Sequence, residues 1–148
     1  MDKKDIIDRI NFILDSKIAS LQKSIESAKE SRDSETKSSV GDKYETGRAM
    51  MQYELEKHQN QLGIVKTQKQ VLTKINTQQK SGMVEQGSLV FTSFGIYFIA
   101  LGLGNILVNN ENIMCISLAS PVGKLLSRKS VGDTIHWQGK KISIRQVM

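Results

Sequence analysis

The chain has 148 residues, 39% of them hydrophobic and 24% charged, with a formal net charge of +6 and a single cysteine. The length fits one domain or two small ones, and the lone cysteine excludes an internal disulfide framework or a zinc site built from several cysteines. No apolar run approaches the ~18 residues of a membrane span, and the N-terminus lacks the apolar segment of a signal peptide, so we expect a cytoplasmic protein with no membrane partner.

The first long segment of the chain carries a seven-residue repeat. Apolar residues recur at the spacing of a coiled-coil seam, and they are Ile7, Leu14, Ile18, Leu21, Ile25 and Ala28. This spacing predicts a long amphipathic helix. Asn11 and Arg32 occupy the same seam, so we expect its packing to weaken toward Arg32.

A second segment continues the repeat with steps of three and four residues. Its seam positions are Tyr44, Arg48, Met51, Leu55, His58, Leu62, Val65, Lys69 and Leu72. We interpret His58 as a packed or partly exposed seam residue rather than a metal ligand, since no second histidine lies nearby in sequence. The two segments most simply form an antiparallel coiled-coil hairpin over residues 1–78, with an acidic tip near 39–46.

Each arm of such a hairpin would extend roughly 45–50 Å at ~1.5 Å per residue. The competing interpretation is that the two segments pair with those of a second molecule. We favour the intramolecular hairpin, and hence a monomer, because the polar stretch with its glycine lies near the middle of the helical half.

After residue 78 the pattern changes to that of short strands. Residues 88–104 are rich in β-branched and aromatic residues and are interrupted at Ser93 and Gly95, which predicts two strands. A further strand is expected in residues 112–120, a short helix from Pro121, and a final hairpin around Gln138–Gly139. The fold class is therefore α+β, with a small antiparallel β-sheet domain and one short helix over residues 79–148. Its aromatic residues are expected in the core, namely Phe91, Phe94, Tyr97, Phe98 and Trp137.

Two carboxylates stand three residues apart at the start of the second helical segment. Asp42 fits the residue that caps a helix, and Glu45 would complete a capping box. Both would also be stabilised by the helix dipole at that end. Alternatively, the pair could converge on a hard cation such as Mg²⁺, which takes one or two protein carboxylates and fills its other positions with water or phosphate oxygens.

Two stretches resemble the bacterial Gre family of transcript-cleavage and transcription elongation factors. The sequence "GDKYETGRA" resembles the family's coiled-coil tip, Gly-Asp-Leu-Ser-Glu-Asn-Ala-Glu-Tyr, and its acidic pair matches Asp42 and Glu45. The sequence "SPVGKLLSRKSVGD", residues 120–133, resembles the family's Ser-Pro-Leu-Gly…Leu…Lys…Val-Gly-Asp signature without a gap. "VEQGSLV" precedes it where the family's first C-terminal strand begins. The matches cover the tip and most of residues 84–148, whereas the first arm offers only its periodicity.

The resemblance implies a factor whose FKBP-like C-terminal domain binds RNA polymerase and whose coiled coil enters the secondary channel. There the tip acids, Asp42 and Glu45, help to hold a Mg²⁺ ion shared with the polymerase. The polymerase then hydrolyses the nascent RNA near its 3′ end by two-metal phosphoryl transfer. The chain itself is then no enzyme, and the isolated protein is not expected to hold the metal.

Basic residues are candidate contacts to RNA or polymerase. Lys43 and Arg48 lie where the family has other residues, and they could neutralise the acids, bind RNA phosphates or remain solvated. Six basic residues of the C-terminal domain could face an acidic surface of the polymerase or merely solubilise the domain, namely Lys124, Arg128, Lys129, Lys140, Lys141 and Arg145.

These differences at the tip leave a second function open, namely a regulator that occupies the channel without stimulating cleavage. Two enzymatic alternatives are weaker. A prolyl-isomerase or chaperone activity would need an aromatic pocket that these residues do not distinguish from a core. A nucleophile at Cys115 would need His136 as its base, and a cysteine in the apolar run "IMCIS" normally behaves as a buried hydrophobe.

Overall fold

The computed structural model describes residues 1–37 and 41–148, and the side chains of residues 1–34 and 45–148. The described elements, in chain order, are α1 (Lys3–Lys37), α2 (Gly41–Thr73), β1 (Leu89–Thr92), β2 (Gly95–Ile99), β3 (Gly104–Val108), β4 (Glu111–Ile116), α3 (Pro121–Leu126), β5 (Thr134–Trp137) and β6 (Lys140–Val147). They divide into two compact units. The helical unit is residues 10–70, and the sheet unit is residues 1–9 together with 71–148. None of the helices described is long and apolar enough to cross a bilayer.

The helical unit is an antiparallel hairpin of α1 and α2. Lys69 forms an ion pair with Asp15, and the Arg32 guanidinium donates to the Gln52 side-chain oxygen at 3.1 Å. The two contacts are 17 residues apart on each helix, from Asp15 to Arg32 on α1 and from Lys69 back to Gln52 on α2. The helices therefore run antiparallel with the same register at both contacts. An apolar cluster contributed by both helices consists of Ile25, Ala28, Leu55 and Leu62. The predicted hairpin is confirmed.

The predicted seam is followed closely along α2. Every seam position from Met51 to Leu72 is buried or half-buried, whereas Arg48 is exposed. Along α1 the same agreement holds from Leu14 to Arg32, where each seam residue is at least half-buried. The spacing of apolar residues was therefore sufficient to identify the packed sides of both helices.

The first turns of α1 depart from that seam. Ile6 and Ile10 are fully buried, while Ile7 and Asn11, the positions that the repeat predicts, are only half-buried. Residues 1–9, which include Ile6 and Ile7, belong to the sheet unit, whereas Ile10 and Asn11 begin the helical unit. The Asn109 side-chain amide donates to the carboxylate of Asp5 at 3.1 Å in that unit, so the first turn of α1 contacts the β3–β4 hairpin.

The sheet has six strands in the order β3-β4-β2-β1-β6-β5. All neighbouring pairs are antiparallel except β2 and β4, which run parallel. The predicted fully antiparallel sheet is therefore wrong at this one pair, and the sheet is mixed. The cause is β3, a strand that the sequence analysis did not separate. It turns back at Asn109 and Asn110, both with positive φ, and this hairpin brings β4 beside β2.

Hydrophobic side chains cover both faces of the sheet over much of its area. On one face lies a core cluster of Val84, Val90, Ile99, Leu126, Ile135, Ile142 and Ile144. Leu126 comes from α3, so the predicted short helix does pack on the sheet. The strand alternation places a second set of buried residues on the opposite face, namely Leu89, Phe98, Ile106, Ile113 and Cys115.

The aromatic residues do not all enter this core. Phe98 is fully buried, and Phe91, Tyr97 and Trp137 are half-buried. Phe94 is 52% exposed, so its predicted place in the core is wrong. It lies in the turn between β1 and β2, after Thr92 and Gly95, which form the last pair between these two strands.

Candidate functional site

The acidic pair predicted at the tip lies in the first turns of α2. The helix begins at Gly41, so Asp42 is its second residue. The capping-box interpretation would instead require Asp42 to precede the first helical residue. The side chains of Asp42 and Lys43 lie outside the described residues, as do residues 38–40. Their positions on the helix nevertheless follow from its backbone.

Asp42 and Glu45 are three residues apart on a continuous helix, which places them on one side of it. Glu45 is exposed, and so is Arg48, one turn further on. The unpaired N–H groups of a helix start favour nearby negative charge. A pair of hard oxygen ligands at this spacing fits the donor preference of Mg²⁺, although two carboxylates alone fill only part of its octahedron.

A chain of polar contacts joins the two helices two turns after Glu45. Arg32 donates to Gln52 at 3.1 Å, and the Gln52 amide donates in turn to the Glu56 carboxylate at 3.1 Å. Arg32, noted in the sequence as a polar interruption of the seam, therefore has a partner on α2. The sequence analysis missed Gln52, because a glutamine one position beyond a seam residue carries no signal of its own.

The C-terminal signature begins at the cap of α3. The Ser120 hydroxyl accepts from the Gly123 backbone N–H at 3.0 Å and donates to the Ser117 carbonyl at 2.7 Å. Pro121 occupies the first helical turn, where its missing N–H costs nothing. The first two residues of the signature thus start a helix.

Gly123 has a steric role. A Cβ atom added there would lie 2.0 Å from the Ser117 carbonyl oxygen and 2.8 Å from the Ser120 hydroxyl oxygen. No real side chain tolerates the first distance, so the backbone accepts only glycine here without moving. The glycine therefore permits the close approach of α3 to the preceding turn.

The end of the signature forms a tight turn before β5. The Asp133 carboxylate accepts from the Ser130 N–H at 2.8 Å, and Gly132 has a φ of +93° that favours glycine. Each signature residue named so far thus has a local structural role.

The three basic residues predicted in this region follow one another around the end of α3. Lys124, Arg128 and Lys129 are all exposed. The Arg128 N–H donates to the Val84 carbonyl, and the Val84 N–H donates to the Lys129 carbonyl, at 2.9 and 2.8 Å. This pairing holds the backbone and leaves the charged side chains exposed. They belong to the sheet unit, whereas Asp42, Lys43, Glu45 and Arg48 belong to the helical unit.

His58 is a half-buried seam residue, as its position in the repeat predicted. Its Nε2 lies 3.6 Å from the Glu54 carboxylate one turn earlier. Its Nδ1 is buried and has no hydrogen-bond partner among the described residues. Within the side chains described, no three His, Cys, Asp and Glu residues gather as a metal site would require.

Cys115 and His136 are not brought together. Cys115 is buried on β4, and burial raises the pKa of its thiol to about 12. His136 is exposed on β5, four strand positions away in the sheet. With strands spaced ~4.8 Å apart, this corresponds to roughly 19 Å. A buried, protonated thiol without a nearby base behaves as a small hydrophobic residue.

Comparison with known proteins gives no further support for any family. No protein-family model matches the chain, and no curated protein sequence matches it.

Proposed function

We propose that this protein is a Gre-like elongation factor that stimulates cleavage of backtracked RNA by RNA polymerase. The observation that carries the proposal is the acidic pair, Asp42 and Glu45, in the first turns of α2, where the two arms of a long hairpin join. Carboxylates so placed lie at the extremity of a narrow rod, which can enter a channel too narrow for a globular domain.

The lengths of the helices suit this role. At ~1.5 Å per residue, the 35 residues of α1 and the 33 of α2 span roughly 50 Å each. The ion pair near one end, the apolar cluster and the Arg32–Gln52 contact hold the arms together along the helical unit. A hairpin joined at several levels would enter a channel as one unit.

The proposed site is completed only by the polymerase. Asp42 and Glu45 would supply two oxygen ligands to a Mg²⁺ ion that the polymerase also binds, and the ion would activate the attacking water or stabilise the leaving oxygen. The partial positive charge at the start of a helix favours negative charge there, so this end of α2 suits acidic ligands.

The sheet unit is proposed to be the FKBP-like domain that docks on the polymerase. Its α+β architecture, with one short helix on a sheet, is compatible with this assignment. Lys124, Arg128 and Lys129 would contact an acidic surface of the enzyme, so binding should weaken as the salt concentration increases. Replacing all three by glutamine should lower the affinity for polymerase and reduce its salt dependence.

The test of the proposed function is a cleavage assay on stalled, backtracked elongation complexes of the polymerase from the same organism, with Mg²⁺ present. The wild-type protein should release short 3′ fragments of RNA. The double variant Asp42→Asn/Glu45→Gln should bind polymerase equally well but lose stimulation. The matched control is Glu26→Gln/Glu30→Gln, which removes two exposed carboxylates from α1 and should remain active.

Full activity of the Asp42/Glu45 variant would reject the metal-binding role of the tip. A second function, the non-catalytic channel regulator, is favoured by one observation, the cations Lys43 and Arg48 beside the acids. If it is correct, the wild-type protein should bind polymerase and inhibit RNA synthesis without releasing fragments.

A further inference from the structure

One corner of the sheet unit combines aromatic and cationic side chains. It consists of Phe94 in the β1–β2 turn and of His136, Lys140 and Lys141 in the β5–β6 hairpin, and we call it the hairpin corner. All four side chains are exposed. The Lys140 ammonium lies 5.0 Å from the centroid of the Phe94 ring. His136 pairs with Lys141 on the opposite face of the hairpin, so the corner presents a lysine on each face at its end.

The turn that carries Phe94 is fixed by hydrogen bonds. The Thr92 hydroxyl accepts from the Phe94 N–H at 3.1 Å and donates to the Gly95 carbonyl at 2.8 Å. Ser93 is tied to β6 twice, because its N–H donates to the Ser143 carbonyl and its hydroxyl accepts from the Ser143 N–H. The aromatic ring is therefore held beside the β5–β6 hairpin before any ligand arrives.

Negative charge is scarce around this corner. The chain has no Asp or Glu between Glu85 and Glu111, and none after Asp133. Asp133 precedes β5 at the end opposite the β5–β6 turn, and its carboxylate accepts from the Ser130 N–H. Among the described residues, none of the ion pairs involves Lys140 or Lys141. Their positive charge is consequently available to an anionic partner.

We propose that the hairpin corner binds single-stranded nucleic acid. Lysines neutralise phosphates, and an exposed aromatic ring provides a surface on which an unpaired base stacks. The combination favours nucleic acid over a polypeptide made only of acidic residues, which would use the charges but has no ring to stack on Phe94. The half-buried Trp137, which pairs with Lys140 on the neighbouring strand, adds a second aromatic ring close to the same charge.

This inference goes beyond the proposed function. It involves neither the tip acids nor polymerase, so the isolated protein is sufficient to test it. Failure of the cleavage assay would leave the binding test unaffected, and the reverse is also true.

The experiment measures fluorescence anisotropy of a labelled 20-nucleotide oligo(U) RNA from 50 to 200 mM salt, with oligo(dT) and an RNA duplex as comparison probes. Both single strands should bind alike, because the corner offers stacking and charge rather than groups that read the sugar. The duplex should bind more weakly, since its bases are already stacked and paired.

Three variants separate the contributions. Lys140→Gln/Lys141→Gln should weaken binding about tenfold or more at low salt and lower the salt slope by about 1.4, the value for two phosphate contacts on a single strand. Phe94→Leu should weaken binding about fivefold or more with little change in slope. The control Lys57→Gln/Lys66→Gln removes two exposed charges from α2 and should leave both quantities nearly unchanged.

Circular dichroism and thermal melting establish that each variant is folded, which is expected because all the replaced side chains are exposed. Equal binding of duplex and single strand with no effect of Phe94→Leu would overturn the proposal. So would an equal loss in the control variant, or tight binding of a polyglutamate peptide together with no binding of RNA.

Discussion

The helical unit and the sheet unit are stabilised by different means. The apolar cluster of the helical unit contains few residues, and polar contacts lie on either side of it, at Asp15–Lys69 and Arg32–Gln52. The sheet unit buries side chains on both faces of its sheet, and several are fully inaccessible. Among the described residues, the helical unit has fewer fully buried side chains, such as Ile10 and Leu14, than the sheet unit. We therefore expect the helical unit to open at a lower free energy than the sheet unit.

The largest difference between the units should come from matched core truncations. Phe98→Ala, at a fully buried position in the sheet, should lower the free energy of unfolding by about 4 kcal/mol. Leu55→Ala, 3% exposed in the helical unit, should cost about 2 kcal/mol, because the thin hairpin can partly close around the lost side chain.

Amide hydrogen exchange locates both effects. Leu55→Ala should accelerate exchange within residues 10–70 and leave the central strands β1 and β2 protected. Equal acceleration in the strands would show that the two units open together, contrary to the comparison above.

Two glycines provide a second contrast. Gly123→Ala should destabilise the sheet unit by about 3 kcal/mol, because the new Cβ would meet the Ser117 carbonyl at 2.0 Å. Gly63→Ala should stabilise the helical unit by about 0.5–1 kcal/mol, since Gly63 lies in the interior of α2 with nothing within 4 Å of an added Cβ. Urea denaturation measures the change in the free energy of unfolding for each variant, which should be negative for Gly123→Ala and positive for Gly63→Ala. If the Gly123→Ala protein were as stable as the wild type, the backbone of the turn before α3 would have to move at little cost.

Alkaline pH should act mainly on the sheet unit. Burial raises the pKa of Cys115 to about 12, whereas an unfolded thiol ionises near pH 8.5. Between these values the unfolded state binds fewer protons, so stability falls as pH rises, by about 2 kcal/mol at pH 10. The Cys115→Ala variant should lack this part of the pH dependence. Rapid alkylation of Cys115 in the folded protein at pH 8 would contradict the burial of the thiol.

The smallest effect is expected at the surface of the helical unit. Lys69→Gln removes the ion pair with Asp15, both partners of which are substantially exposed, and should cost less than about 1 kcal/mol. The loss should diminish at 1 M salt, where the pair is screened. Lys66→Gln, at an exposed position one turn earlier, is the control, and an equal loss there would show that general charge rather than the pair is responsible.

Much of the helical unit was predictable because its information is local. The seam from Met51 to Leu72 could be read directly from the spacing of its residues, and burial agrees with it at every position. At the start of α1 the most buried residues are Ile6 and Ile10 rather than the seam positions Ile7 and Asn11, and residues 1–9 belong to the sheet unit. A repeat cannot report that a helix changes its packing partner along its length.

The candidate site was predictable only in part. The spacing of Asp42 and Glu45 on one helix follows from sequence, and so do the cap and first turn of α3 at Ser120 and Pro121. The contact between Arg32 and Gln52 was not predicted, because it joins residues whose relation depends on the register of the hairpin. The metal role of the acidic pair remains a prediction.

By itself, the sequence determined the two helical segments, the strand hairpins around Ser93 and Gln138–Gly139, and the short helix after Ser120, because each depends on neighbouring residues. Only the tertiary structure decided that β4 lies parallel to β2, that β3 forms an edge of the sheet, and that Phe94 stays exposed beside Lys140. Strand order and the exposure of a turn depend on contacts between residues far apart in the chain. Local periodicity and turn preferences do not predict such contacts.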